Sequence, residues 1–165
     1  MGAMYEPAFV EGHEYYRIIT HFFLHFGLEH LVNNMIALLV LGYTLEQDIG
    51  RIRYLILYML SGILSGFVSV YVNWSLGENV VSCGASGAIY GLMGALLMVL
   101  LKNRKQIVRG DIIRFGIYLV LSLYSGMQDS GIDNTAHLSG AVIGFILCGV
   151  LYRRKNKTDI RIGGY

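Results

Sequence analysis

The sequence predicts an all-α, polytopic membrane protein with five transmembrane helices, and three observations carry that prediction. Of its 165 residues, 55% are hydrophobic and only 15% charged, with a mean hydropathy of +0.53; a soluble domain of this size is far less apolar. Apolar runs recur at about 31–45, 54–76, 87–101, 112–127 and 138–152, separated by short polar stretches. The cations, finally, are sorted to one side of the resulting serpentine.

The first run, 31–45, follows the stretch 1–29 and ends in the Glu46–Gly50 stretch. The second, 54–76, is long enough to span a hydrocarbon core of about 30 Å. The third, 87–101, is short, so the segment before it, Trp74–Ala85, is expected to dip inward; irregular backbone at that depth is tolerated only where it lines protein or a wet cavity, and Asn79, Ser82 and the glycines suit such a lining. The fourth and fifth runs complete the bundle. Several runs of only about 15 residues also fit buried helices of a soluble all-α domain. The cations decide between the two. Arg51 and Arg53 lie between runs one and two. Lys102, Arg104, Lys105, Arg109 and Arg114 flank the junction of three and four, and Arg153, Arg154, Lys155, Lys157 and Arg161 follow run five. Only Arg17 of the 13 falls elsewhere, while the alternate connections carry Glu6, Glu11, Glu14, Glu29, Glu78, Asp129 and Asp133. A soluble bundle has no reason to sort charge in this way.

The C-terminus is therefore expected on the cytoplasmic side, with a multi-pass domain over 1–152 and a mobile cytoplasmic tail over 153–165. Within the domain, 1–29 reads as an outer, interfacial loop and 30–152 as the five-helix bundle. Met1–Ala8 is neither basic nor long and apolar, so it does not read as a cleavable signal peptide. The net charge of +2 is a topogenic signal facing anionic lipid, not a nucleic-acid surface. Cys83 and Cys148 form neither a metal pattern nor an obvious disulfide pair. Neither a metal nor another cofactor is expected.

Strongly polar side chains inside spans are costly, so each calls for a reason. Four stand out: His30, Asn34, Ser86 and His137. Their depths follow from the distance along each helix to its first cytoplasmic cation. Ser86 to Lys102 is 16 residues, His137 to Arg153 is 16, and Asn34 to Arg51 is 17. At about 1.5 Å per residue, all three lie roughly 24–26 Å above the inner boundary. His30 is one turn above Asn34 on the same face. Together these residues define a candidate site in the outer leaflet.

Gly84-Ala85-Ser86-Gly87 opens the third helix, placing Ser86 at a helix N-terminus, where unpaired N–H groups and the dipole favour a developing oxyanion. A serine needs a base within hydrogen-bond reach, and His137 is the histidine at its depth on another late helix. Gly87, Gly91 and Gly94 on one helix, with Gly140 and Gly144 at GxxxG spacing on the other, allow the close approach this requires. Tyr90, one turn below Ser86, is placed to pack under the imidazole. With Asp133 in the outer loop, a Ser–His dyad fits better than a full triad. His30 and Asn34 can donate to the oxyanion from a different helix.

These residues resemble the rhomboid intramembrane serine proteases from about Tyr15 to Tyr152. His30-x-x-x-Asn34 is similar to the family's HxxxN, Gly84-Ala85-Ser86-Gly87 to its GxSG, and Ala136-His137 with Gly140 and Gly144 to its AH…GxxxG. Tyr16–His25 is similar to its membrane-embedded first loop, with Tyr16-Arg17 where the family usually has Trp-Arg. The resemblance implies that Ser86 attacks the scissile carbonyl and His137 moves the proton. It further implies that His30, Asn34 and the Ser86 N–H stabilise the oxyanion and that Tyr90 stacks on the imidazole. It implies cleavage of membrane-protein substrates in transmembrane segments, near the outer boundary and at small residues, in the plasma membrane. The family core has six helices; the five here correspond to its second to sixth. Asp48 stands near where relatives often place an arginine after the helix-end glutamate, here Glu46, and Arg51 is expected to compensate. Substrate entry is expected beside the helix at 112–127 and its outer loop Met127–Asn134, with Gly126 and Gly131 as flexing points.

Two other functions share some of these features. An inactive relative that binds membrane clients would have the same fold, although it would not need both Ser86 and His137. A small transporter would use the polar cluster as a solute site, but the spans hold no paired acidic residues and the chain no duplicated half.

Overall fold

The computed structural model describes residues 2–105, 107–127 and 132–152. The tail 153–165 with its five cations, and the hinge position Gly131, lie outside the described residues. Five helices form the body: α3 (Leu28–Ile49), α4 (Arg51–Leu76), α5 (Ser86–Lys102), α6 (Arg109–Met127) and α7 (Asn134–Leu151). Each begins one to four residues before its apolar run, within the margin by which helix ends extend past an apolar stretch. Three of them, α3, α4 and α7, are long and apolar enough to cross a membrane, while α5 is apolar but shorter. The molecule is an all-α membrane bundle.

The segment before α3 is more ordered than a plain loop. It holds a two-residue strand β1 (Met4–Tyr5), short helices α1 (Glu6–Val10) and α2 (Arg17–Thr20), and a 3₁₀ turn at His21–Phe23. β1 pairs antiparallel with β2 (Val81–Ser82), joining Met4 to Ser82 and Tyr5 to Val81. Trp74–Ala85 is correspondingly not irregular throughout. Helix α4 continues to Leu76 and ends on Gly77 in the left-handed region, so only the stretch from Gly77 carries the chain to Ser86. Arg17, the one cation expected on the outer side, is held by Glu14 and by a 2.6 Å bond to the Ala3 carbonyl.

The bundle places large apolar residues outward and small or polar ones inward. Leu39 and Val150 are 74% and 79% exposed, whereas Ser61, Ser65, Ser69 and Asn73 of α4 are buried. Lipid solvates the outer face, so helix association rests on close packing of small residues. Helix α5 sits centrally and packs most extensively on α7, then on α4 and α3; α6 rests lightly on α5 and α7. A Cβ on Gly94 would overlap the Ala141 carbonyl, one on Gly140 the Gly87 carbonyl, and one on Gly144 the Gly91 carbonyl. Backbone touches backbone along this seam.

The end of the bundle opposite Ser86 is closed by polar contacts. Lys102 Nζ donates to the carbonyls of Gly149 and Tyr152, satisfying the C-terminus of α7. Asn103 Nδ2 donates to Tyr152 Oη at 2.7 Å. Arg51 pairs with Glu46 at 3.0 Å across the α3–α4 turn, the contact expected to offset Asp48.

Candidate active site

The first intrahelical bond of α5 runs from the Ile89 N–H to the Ala85 carbonyl. The N–H groups of Ser86, Gly87 and Ala88 therefore precede the ladder, at the positive end of the helix. Ser86 is the first residue of α5 and His137 lies one turn into α7. The glycine seam brings these helices close enough that His137 Nε2 is 2.8 Å from Ser86 Oγ. His137 Nδ1 is buried and has no hydrogen-bond partner among the described residues.

Beneath the imidazole lies the Tyr90 ring, stacked with centroids 4.2 Å apart and planes 25° from parallel. Tyr90 is held in turn, its hydroxyl lying 2.8 Å from Ser122 Oγ on α6. The ring of His137 is thus confined between one hydrogen bond and one aromatic face.

His30 and Asn34 reach the site from α3. Both face Gly84, two residues before Ser86: a Cβ there would lie 2.8 Å from His30 Cε1 and 3.4 Å from Asn34 Nδ2. Gly84 also has φ +131°, a region L side chains rarely adopt. Only glycine suits this position, and its N–H is anchored by a 2.9 Å bond to the His21 carbonyl. Asn34 Nδ2 is buried with no partner among the described residues. A donor left unmade in a buried place is costly, which marks it as available to an acceptor that enters the site.

These residues line a cavity of about 860 Å³ that His21, Asn79, Ser82 and Asp133 also face. Its chemical content is a hydroxyl, an imidazole base, two side-chain donors and a helix N-terminus. Acyl transfer calls for a set of this kind: a nucleophile, a proton acceptor and a cradle for negative charge. Among the described residues, no group of three or more His, Cys, Asp or Glu side chains is arranged to hold a metal ion.

The family model for the rhomboid domain matches residues 12–154. The chain belongs to the rhomboid family. It is 34% identical over 146 residues to the rhomboid protease GluP of Bacillus subtilis (strain 168), a match covering 88% of this chain and 28% of that protein. It is 40% identical over 159 residues to RHOMBOID-like protein 5 of Arabidopsis thaliana, covering 93% and 49% of the two chains. RHOMBOID-like protein 1 of the same plant is 36% identical over 149 residues, covering 89% and 37%. This rhomboid thus spans less than half the length of these curated relatives, and it is an integral membrane protein.

Several residues that shape the rhomboid site were not singled out from sequence. Ser61 and Ser65 of α4 pack into the gaps left by Gly91 and Gly87. Ser69 Oγ donates to Asp133 Oδ2 at 2.6 Å, and Asn73 Nδ2 donates to Ser69 Oγ at 3.1 Å and to Glu6 Oε1 at 3.2 Å. The signal was present in part: Ser61, Ser65, Ser69 and Asn73 recur every fourth residue and so share one helix face. Asp133, read as a loop residue, caps α7 by accepting from the Ala136 N–H at 2.9 Å. Glu6 and His21 carry no such periodic signal. Glu6 accepts from the Val80 N–H at 2.8 Å, and burial raises its carboxyl above the usual range. His21 Nδ1 lies 2.8 Å from the Arg17 carbonyl, and burial lowers its imidazole below the usual value.

Proposed function

We propose that this rhomboid is an intramembrane serine endopeptidase that cleaves transmembrane segments of membrane proteins with a Ser86–His137 dyad. The observation that carries the reading is the 2.8 Å approach of His137 Nε2 to Ser86 Oγ, at a helix N-terminus near the Asn34 Nδ2 that has no partner among the described residues.

Ser86 Oγ attacks the scissile carbonyl as His137 Nε2 takes its proton; the same nitrogen returns the proton to the leaving amine, and water then repeats the sequence on the acyl-enzyme. His30, Asn34 and the Ser86 N–H receive the oxyanion. Stacking on Tyr90 holds the ring plane through both transfers. The dyad needs no metal or organic cofactor. The polar cavity gives water a path to a serine that otherwise lies among apolar spans.

The cation distribution supports a cytoplasmic C-terminus and a site toward the outer face of the plasma membrane. Substrate reaches it beside α6, the least tightly packed of the five helices. The test is labelling of the membrane-embedded protein by a serine-reactive fluorophosphonate. Labelling is expected to require both Ser86 and His137, and labelling that survives Ser86→Ala sinks the proposal. Unlabelled protein that still captures a transmembrane peptide points instead to a client-binding rhomboid.

A further inference from the structure

We infer that Asp133 is the positioning residue for His137, acting on the backbone of the histidine and not on its ring. The inference rests on the dyad reading above. A serine–histidine pair works only if the imidazole is held within a few tenths of an ångström of its productive place, and a misplacement of about 1 Å costs on the order of 10²-fold in rate. In a triad a carboxylate supplies that hold through Nδ1. Here Nδ1 has no partner among the described residues.

Asp133 supplies a different hold. Its main-chain carbonyl accepts from the His137 N–H at 3.1 Å. Carboxylate oxygen Oδ1 accepts from the Ala136 N–H at 2.9 Å, and Oδ2 accepts from Ser69 Oγ at 2.6 Å. One residue therefore defines the first turn of α7 and pins it to α4. Ser69 is 1% exposed and its own place is fixed by Asn73, which also holds Glu6 of the N-terminal segment. The line Glu6–Asn73–Ser69–Asp133 runs from α1 through α4 to the helix that carries the base. Because α4 also packs on α5, where Ser65 abuts Gly87, the same helix that receives Asp133 backs the helix that presents Ser86. Asp133 thus references His137 to the scaffold of its nucleophile.

The test measures fluorophosphonate labelling rates of the full chain in lipid vesicles, with probe concentration varied to separate maximal rate from apparent binding. Asp133→Ala is expected to lower the maximal rate about 10-fold or more with apparent binding unchanged. Asp133→Asn keeps an oxygen for Ala136 and an amide facing Ser69, so it is expected to recover to within about 3-fold of wild type. Ser69→Ala is expected to lower the rate by about 3-fold or more, and to add little on top of Asp133→Ala. Thermal melting identifies any variant that fails to fold, and Ser69→Ala, a small deletion, then carries the test alone. Wild-type rates in both alanine variants overturn the inference, as does full additivity of the two. Absence of Ser86-dependent labelling in the wild-type protein overturns the dyad reading itself, and this inference with it.

Discussion

His137 turns its Nε2 toward Ser86 Oγ at 2.8 Å, while its Nδ1 meets no hydrogen-bond partner among the described residues. The orientation of the ring therefore comes from three directions: the hydroxyl ahead, the Tyr90 face beneath at 4.2 Å, and the first turn of α7 behind. Each direction yields a consequence that can be measured.

Removing either member of the pair is expected to abolish cleavage of a transmembrane reporter. Ser86→Ala and His137→Asn should each lower kcat by at least ~10³-fold, because groups that act as a unit fail together. Melting temperatures should stay within a few degrees of wild type. Cleavage that persists in Ser86→Ala would remove the serine from the chemistry.

Asn34→Ala should lower kcat by about 10²-fold with little change in KM, the pattern of a donor used mainly in the transition state. Steady-state kinetics on a fluorogenic transmembrane peptide checks this. A rise in KM at unchanged kcat points instead to substrate binding.

Two glycine substitutions should part company. In Gly144→Ala the new methyl meets the Gly91 carbonyl, backbone that cannot turn aside, so destabilisation should reach about 1–3 kcal/mol or more, with activity lost alongside. A Cβ at Gly116 on α6 has open space around it, and Gly116→Ala should be neutral or stabilising by up to about 1 kcal/mol. Unfolding in mixed micelles compares them directly.

Acidification should loosen the N-terminal segment. The His21 imidazole is held below its usual value by burial, and His25 shifts the same way for the same reason. Such groups cost no stability while neutral in both states, above about pH 6.5, and stability falls as pH drops from there through their folded values, because the unfolded chain binds the proton more readily. Thermal melts between pH 8 and 5 should show this decline, and His21→Asn should flatten it. A slope unchanged by the substitution assigns the effect elsewhere.

Helix α6 should need freedom to move. A disulfide engineered between α6 and α7, on which it rests, is expected to suppress cleavage of a transmembrane substrate while leaving fluorophosphonate labelling within about 3-fold, since a small probe needs no lateral opening. Full cleavage in the crosslinked protein places entry elsewhere.

The bundle was legible because its signals are local and periodic. Apolar runs mark spans, and the cations at Arg51, Lys102 and Arg109 fall at the helix ends. Counts of 17 residues from Asn34 to Arg51, 16 from Ser86 to Lys102 and 16 from His137 to Arg153 put the three side chains at nearly one depth from sequence alone. The glycine spacing along Gly87, Gly91 and Gly94, with Gly140 and Gly144, indicated which helices approach closely. The ordered first segment was not legible. Its two-residue strand owes its existence to pairing between Tyr5 and Val81, 76 residues apart, and nothing in either residue's neighbourhood announces the other.

What the sequence determined by itself was therefore depth, order and face: which side chains can lie at one level and which helix surfaces are small enough to meet. What only the tertiary structure decided was lateral position. That Asp133 reaches Ser69, that Asn73 holds Glu6, and that His30 and Asn34 close on Gly84 depend on how helices are arranged around α5. The physical reason is that periodicity along one helix fixes a height and a direction, while the neighbour found in that direction is set by the packing of the whole bundle.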